Sequence, residues 1–94
     1  NLGQADLMQS VLTESTFRGA NFSSALLDGA NFDKADLSAA NFRNANMLMT
    51  TMVEAILLST NFTEATLISA DLTNTNATFA IFDKAITFGC KGCP

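Results

Sequence analysis

A chain of 94 residues, 48% of them hydrophobic, has room for one domain, and none of its apolar runs approaches the roughly 18 residues that a membrane span requires. Five basic residues against nine acidic ones leave a net charge of -4; with Arg18, Lys34, Arg43, Lys84 and Lys91 scattered and no Tyr or Trp to stack on bases, direct nucleic-acid binding is excluded. There is no His, no Gly-rich phosphate loop and no nucleophile beside a base, so neither catalysis nor a cofactor nor a metal centre is expected.

The chain opens at Asn1 directly into a repeat without an initiator Met, as a processed or trimmed chain would. From Leu2 onward every fifth residue is apolar: Leu2, Leu7, Leu12, Phe17, Phe22, Leu27 and so on to Leu72, with Ala77 the one small centre before Phe82. Two positions before each centre the residue is small, Ala at most sites and Ser or Thr at Ser10, Ser15, Thr50, Thr60 and Thr75. Large and tiny side chains alternating at fixed spacing predict two inward layers, the small one leaving room for the large one. A period of five fits neither a helix at 3.6 nor a flat strand at 2, which leaves a solenoid.

The units Ala20-Asn21-Phe22, Ala30-Asn31-Phe32, Ala35-Asp36-Leu37, Ala40-Asn41-Phe42 and Ala70-Asp71-Leu72 resemble the A(D/N)LXX motif of pentapeptide repeat proteins. The resemblance covers nearly the whole chain and implies an all-β fold, a right-handed quadrilateral β-helix with four pentapeptides to a coil. In such a coil Phe22, Phe42, Phe62 and Phe82 stack on one side, with Asn21, Asn41 and Asn61 laddered beside them to satisfy polar groups between coils. About four coils at about 4.8 Å give a rod roughly 20 Å long. A convex rod of this kind offers no cleft for paired carboxylates.

In the family fold the three remaining residues of each unit point outward. Glu14, Lys34, Glu54 and Asn74 then form one column in which a lysine stands between two glutamates, an ordinary solvated face. The side centred on Leu7, Leu27, Met47 and Leu67 is different: it carries Met8, Leu26, Leu48 and Ile68, with Met49 near the corner, and only Asp6 and Asp28 bring charge to it. Val53, Ile56 and Leu58 add apolar residues around the third coil. Contiguous exposed apolar surface marks a contact, although exposed aliphatics also favour strand conformation and some could lie under a terminal segment.

After Thr75 the pattern frays, because Ala77 is small and Phe79, Ile81, Ile86, Thr87 and Phe88 leave the motif. The expectation is a repeat domain over 1–82 and a short non-repeat cap over 83–94, with Phe79, Ile86 and Phe88 plugging the open end. The bare start at Asn1 and Leu2 could be closed by an end-to-end homodimer, and a side-to-side one is the other arrangement. The last six residues hold Cys90 and Cys93 as C-x-x-C. Three readings stay open there: a structural disulfide pinning the cap, a redox pair without the helix that would activate it, and half a zinc site needing a partner's ligands. A disulfide implies an oxidising compartment. The family is abundant in cyanobacteria and in the thylakoid lumen of plastids, which the resemblance extends to this chain.

Together these features predict a non-enzymatic interaction or scaffold module. Its partner would be a protein, a large photosynthetic complex for instance, held through Met8, Leu26, Leu48, Met49 and Ile68 without membrane insertion. The alternative is inhibition or protection of a topoisomerase-type enzyme by acidic mimicry of DNA, for which the chain lacks a long rod and a continuous negative stripe.

Overall fold

A computed structural model describes residues 1–94 as a parallel solenoid in which every backbone pairing joins a residue to the one twenty positions later, from Asp6 with Leu26 to Asp71 with Lys91. Four five-residue sides therefore complete one coil. The first side is centred on Leu2, Phe22, Phe42, Phe62 and Phe82, the second on Leu7, Leu27, Met47, Leu67 and Thr87. The third is centred on Leu12, Phe32, Met52 and Leu72, and the fourth on Phe17, Leu37, Leu57 and Ala77.

Each side is one paired residue followed by a tight turn. The amide of Ala25 donates to the carbonyl of Phe22 at 3.0 Å and that of Ala45 to Phe42 at 3.0 Å, while the residue just before each of these alanines adopts positive φ, 58° at Ser24 and 59° at Asn44. That is a type II turn, whose third residue must be left-handed. Glycine suits the position, yet only Gly19, Gly29 and Gly89 supply it; bulky residues such as Met49 (φ 59°) and Phe79 (φ 62°) accept the conformation elsewhere. Coil-to-coil bonds then lock the stack: Phe22 N–H donates to Asn41 O at 2.7 Å and Asn41 N–H to Ala20 O at 2.9 Å.

The turn leaves the amide immediately after each centre without a backbone partner, and this explains the Asn or Asp that precedes so many centres. Asn21 Oδ1 accepts from Ser23 N–H, Asn41 Oδ1 from Arg43 N–H and Asn61 Oδ1 from Thr63 N–H, each at 2.9 Å. The Asn residues are in register, as expected, but their side chains cap their own turn instead of bonding up and down the stack. The reason is reach: the orphaned amide two residues on is nearer than the next coil's side chain, the geometry of an Asx turn.

Inside, Phe22, Phe42, Phe62 and Phe82 form the stacked column with ring centroids 4.9, 5.2 and 5.0 Å apart. Phe32 meets Phe22 and Phe42 edge-on at 5.7 and 5.9 Å. Thr50 and Thr60 fill small inward positions, fully buried, and donate their hydroxyls to Leu27 O and Leu37 O at 2.8 Å each. Two polar atoms thus enter the core already satisfied.

The chain after Thr75 departs from expectation. Asn61 pairs with Ile81, Thr66 with Ile86 and Asp71 with Lys91, so the coil rhythm runs on through the expected boundary at Asp83. Turns close at Ala80, Ala85 and Cys90 just as they do earlier. Phe79, Ile86 and Phe88 do not plug the end; they are 83%, 51% and 81% exposed. The cause is visible in register: Ala80, Ala85 and Cys90 keep the small inward position, which leaves Phe79, Ile86 and Phe88 at outward ones. The Cα extents are 26, 22 and 20 Å, which makes the stack about as tall as it is wide. No helix in it is long and apolar enough to cross a membrane.

Candidate functional site

The second side gathers the residues singled out in the sequence. Pairing of Asp6 with Leu26, Leu26 with Asn46, Asn46 with Thr66 and Thr66 with Ile86 sets the register, which places Met8, Asp28, Leu48, Ile68 and Phe88 one above another in the next column. Met8 is 48%, Leu48 39% and Met49 61% exposed, whereas Leu26 and Ile68 are half-buried. Phe88 tops this column and Ile86 the adjacent column of Asp6, Leu26, Asn46 and Thr66, which sequence reasoning missed by assigning them to a plug. Their spacing from Ile68 and Thr66, one full coil each, was the signal that could have found them.

Neither acid on this side is loose decoration. Asp6 Oδ1 accepts from Met8 N–H at 3.2 Å, the same own-turn cap as elsewhere. Asp28 Oδ1 instead reaches up one coil to accept from Leu48 N–H at 2.9 Å, replacing the cap that Asn46 does not make. Asp33 does likewise for Val53 N–H at 2.9 Å, where the preceding Thr51 makes no cap of its own. Beside Asp28, Gly29 opens a shallow groove of about 540 Å³ between Met8, Leu48 and Met49. The convex surface expected from the repeat therefore has an indentation, created by a missing side chain at one corner.

The other sides are polar and partly neutralised. Arg18 pairs with Asp36 at 3.5 Å and Arg43 with Glu64 at 3.4 Å. Lys34 joins neither Glu14 nor Glu54; the three side chains share a column and stand exposed at left-handed corners, the ordinary solvated face expected of them. The hydroxyl and then the amide of Ser38 hold the Asp36 carboxyl below its ordinary value of 3.8, and Thr73 acts in the same way on Asp71. Val53 is half-buried on the third side, and Ile56 and Leu58 are 40% and 38% exposed on the fourth, apart from the second-side column.

At the C-terminal end Cys90 and Cys93 are joined in a disulfide with Cα atoms 5.7 Å apart. Cys90 occupies the inward column of Ala30, Thr50 and Ala70 and packs against the core. Between the cysteines, Gly92 lies so close to Leu72 that a Cβ there would sit 2.6 Å from the Leu72 carbonyl oxygen. The loop folds flat on the preceding coil because that residue has no side chain.

Comparison with known proteins bears on this geometry. No functionally curated protein matches the chain in sequence. A pentapeptide repeat protein from the Arabidopsis thaliana thylakoid lumen superimposes with a TM-score of 0.87 at 28% identity, over 90% of this chain and 59% of that one. A pentapeptide repeat protein from the cyanobacterium Cyanothece 51142 does so with a TM-score of 0.51 at 23% identity, over 92% of this chain and 63% of that one. The chain thus spans 59% and 63% of the lengths of these two structures. The family profile for pentapeptide repeats matches residues 1–29, 20–57 and 60–86 in 8 copies. With its Asn and Asp caps, its small and large inward columns and its twenty-residue coil, the chain belongs to the pentapeptide repeat family and folds as a right-handed β-helix.

Proposed function

We propose that this β-helix is a non-enzymatic docking module that binds a larger protein assembly through its second side. The observation that carries the reading is the column Met8, Asp28, Leu48, Ile68 and Phe88 with Met49 beside it: four of the five column residues are apolar, and the side holds no lysine or arginine at all. Surfaces that only need solubility mix charges, as the first and fourth sides do with their ion pairs. Apolar area kept contiguous across several coils favours a contact. Rigidity adds to this, because a side anchored by coil-to-coil bonds loses little freedom on binding.

The likeness to a thylakoid-lumen protein and the Cys90–Cys93 disulfide support placement in an oxidising compartment, the lumen being the first to test. A photosynthetic complex would then be the assembly available there. Mimicry of DNA by acidic charge finds less support, since Arg18 and Arg43 each pair with a carboxylate and interrupt any negative stripe. The test is affinity recovery from native extract with the wild-type chain and with Leu48→Glu, Ile68→Glu. A specific assembly retained by the first and lost by the second is the expected result. The same proteins on both, or a topoisomerase released by modest salt, would overturn the reading.

A further inference from the structure

The corner joining the second side to the third carries Gln9, Gly29, Met49, Ser69 and Gly89 in successive coils, all left-handed. A side chain at this position projects from the corner, so Gly29 leaves a notch between Gln9 and Met49. A Cβ built on Gly29 would lie 3.2 Å from the Gln9 side chain, which marks how closely the notch is bounded from below. Beside Gln9 and Gly29, the groove is lined by Met8, Leu48 and Met49 and by the acids Asp6 and Asp28.

The two carboxylates are oriented and uncompensated. In each, one oxygen accepts a backbone amide, from Met8 at Asp6 and from Leu48 at Asp28, while the second oxygen has no partner in the protein. The ion pairs of the molecule, Arg18 with Asp36 and Arg43 with Glu64, lie elsewhere. A purely aliphatic occupant would strip water from both acids and give nothing back, and an acidic one would be repelled. Methionine walls meanwhile adapt to a flexible aliphatic guest.

We propose that this groove takes an extended segment of the partner protein in which a lysine or arginine stands two residues from an aliphatic residue, so that both side chains face the groove. An aliphatic side chain fills the notch over Gly29, and a cation sits between Asp6 and Asp28. This deepens the docking reading above and rests on it, adding the chemistry of the segment that is held.

Fluorescence anisotropy on the full chain tests the assignment, with the labelled heptapeptide Leu-Ser-Lys-Ser-Leu-Ser-Lys, which carries leucine and lysine on one face, as probe and its counterpart with glutamate in place of lysine as control. Asp6→Asn, Asp28→Asn keeps both amide caps and removes both charges. It is expected to weaken lysine-peptide binding by about tenfold or more, while Glu14→Gln, Glu54→Gln, the same charge change on the third side, leaves it unaltered. Gly29→Asn, whose side chain tolerates the left-handed corner, is expected to block the notch with a similar loss. Met8→Ser tests the same wall should the Gly29 variant melt early. The proposal is overturned if wild type does not bind the lysine peptide, if it binds the glutamate peptide equally, or if the two charge pairs behave alike. Recovery of the native partner by Leu48→Ser, Ile68→Ser separates the two levels. If that variant loses the partner while Asp6→Asn, Asp28→Asn binds peptide as wild type does, the apolar side docks but not through a basic segment; if neither changes, both readings fall.

Discussion

At the scale of single residues, the turn sets the terms. Every pentapeptide places one residue in the left-handed region, which costs an L-amino acid with a Cβ roughly 1–2 kcal/mol. Phe79 occupies it at φ 62° with 83% of its surface exposed, and so has little packing to set against the strain. Phe79→Gly is therefore expected to stabilise the chain by about 1 kcal/mol, a rise of several degrees in melting temperature by circular dichroism. Gly19 is the converse: a Cβ there meets nothing within 4 Å, yet φ is +69°, so Gly19→Ala is expected to cost about 1 kcal/mol through backbone strain alone. Acid titration probes the caps. Asp36 and Asp71 have folded-state pKa values lowered by the Ser38 and Thr73 hydroxyls and amides. Their contribution to stability is complete above the unfolded value of 3.8 and is lost as pH falls through the lower folded value. Melts from about pH 5 to about pH 2 are expected to show that loss, and Asp36→Asn, Asp71→Asn, which keeps the acceptors without the charge, to flatten it.

At the scale of the element, the repeat frame was legible and the hydrogen bonds were not. Spacing by five and the recurrence of Phe every twenty residues fix which side chains are inside, and Phe22, Phe42, Phe62 and Phe82 stack as that spacing requires. Spacing alone does not say whether an Asn reaches its own turn or the next coil; that depends on which amide the turn orphans, a property of φ and ψ. The same gap hid Asp28 and Asp33, whose caps bridge coils because Asn46 and Thr51 do not cap the amides concerned. Phe79 and Phe88 were misplaced for another reason: once the large centres gave way to Ala77 and Thr87, the small column through Ala80, Ala85 and Cys90 still held the frame. Depth within the stack should then grade mutational cost. Phe42 is fully buried between two rings, and Phe42→Ala is expected to cost about 3–5 kcal/mol. Phe82 ends the stack, meets a ring on one side only and is only partly buried, so Phe82→Ala should cost markedly less in the same denaturant titration.

For the whole molecule, stability is a chain of neighbour-to-neighbour terms, because each coil bonds only to the ones above and below it. The disulfide at Cys90 and Cys93 closes a loop with a sequence separation of 3 and acts where the last coil meets Leu72. Its removal in Cys90→Ser, Cys93→Ser is expected to cost about 2 kcal/mol by loop entropy. Hydrogen exchange should locate that loss in the terminal coil, with amides from Phe22 to Phe62 as protected as before. Uniform loss of protection would show that the coils melt as one unit.

The pairing of each residue with the one twenty positions on also makes the molecule a ruler with two graduations. Removing or adding five residues before Ala77 leaves the inward columns intact, since every unit up to Leu72 presents a small and a large side chain at the same places. All outward residues beyond that point, however, turn by a quarter of the perimeter, and the Leu48, Ile68 and Phe88 column would be dealt out onto a neighbouring side. Only a change of twenty residues lengthens the stack while keeping each side's identity. Relatives of different length that share this apolar second side should therefore differ by whole coils.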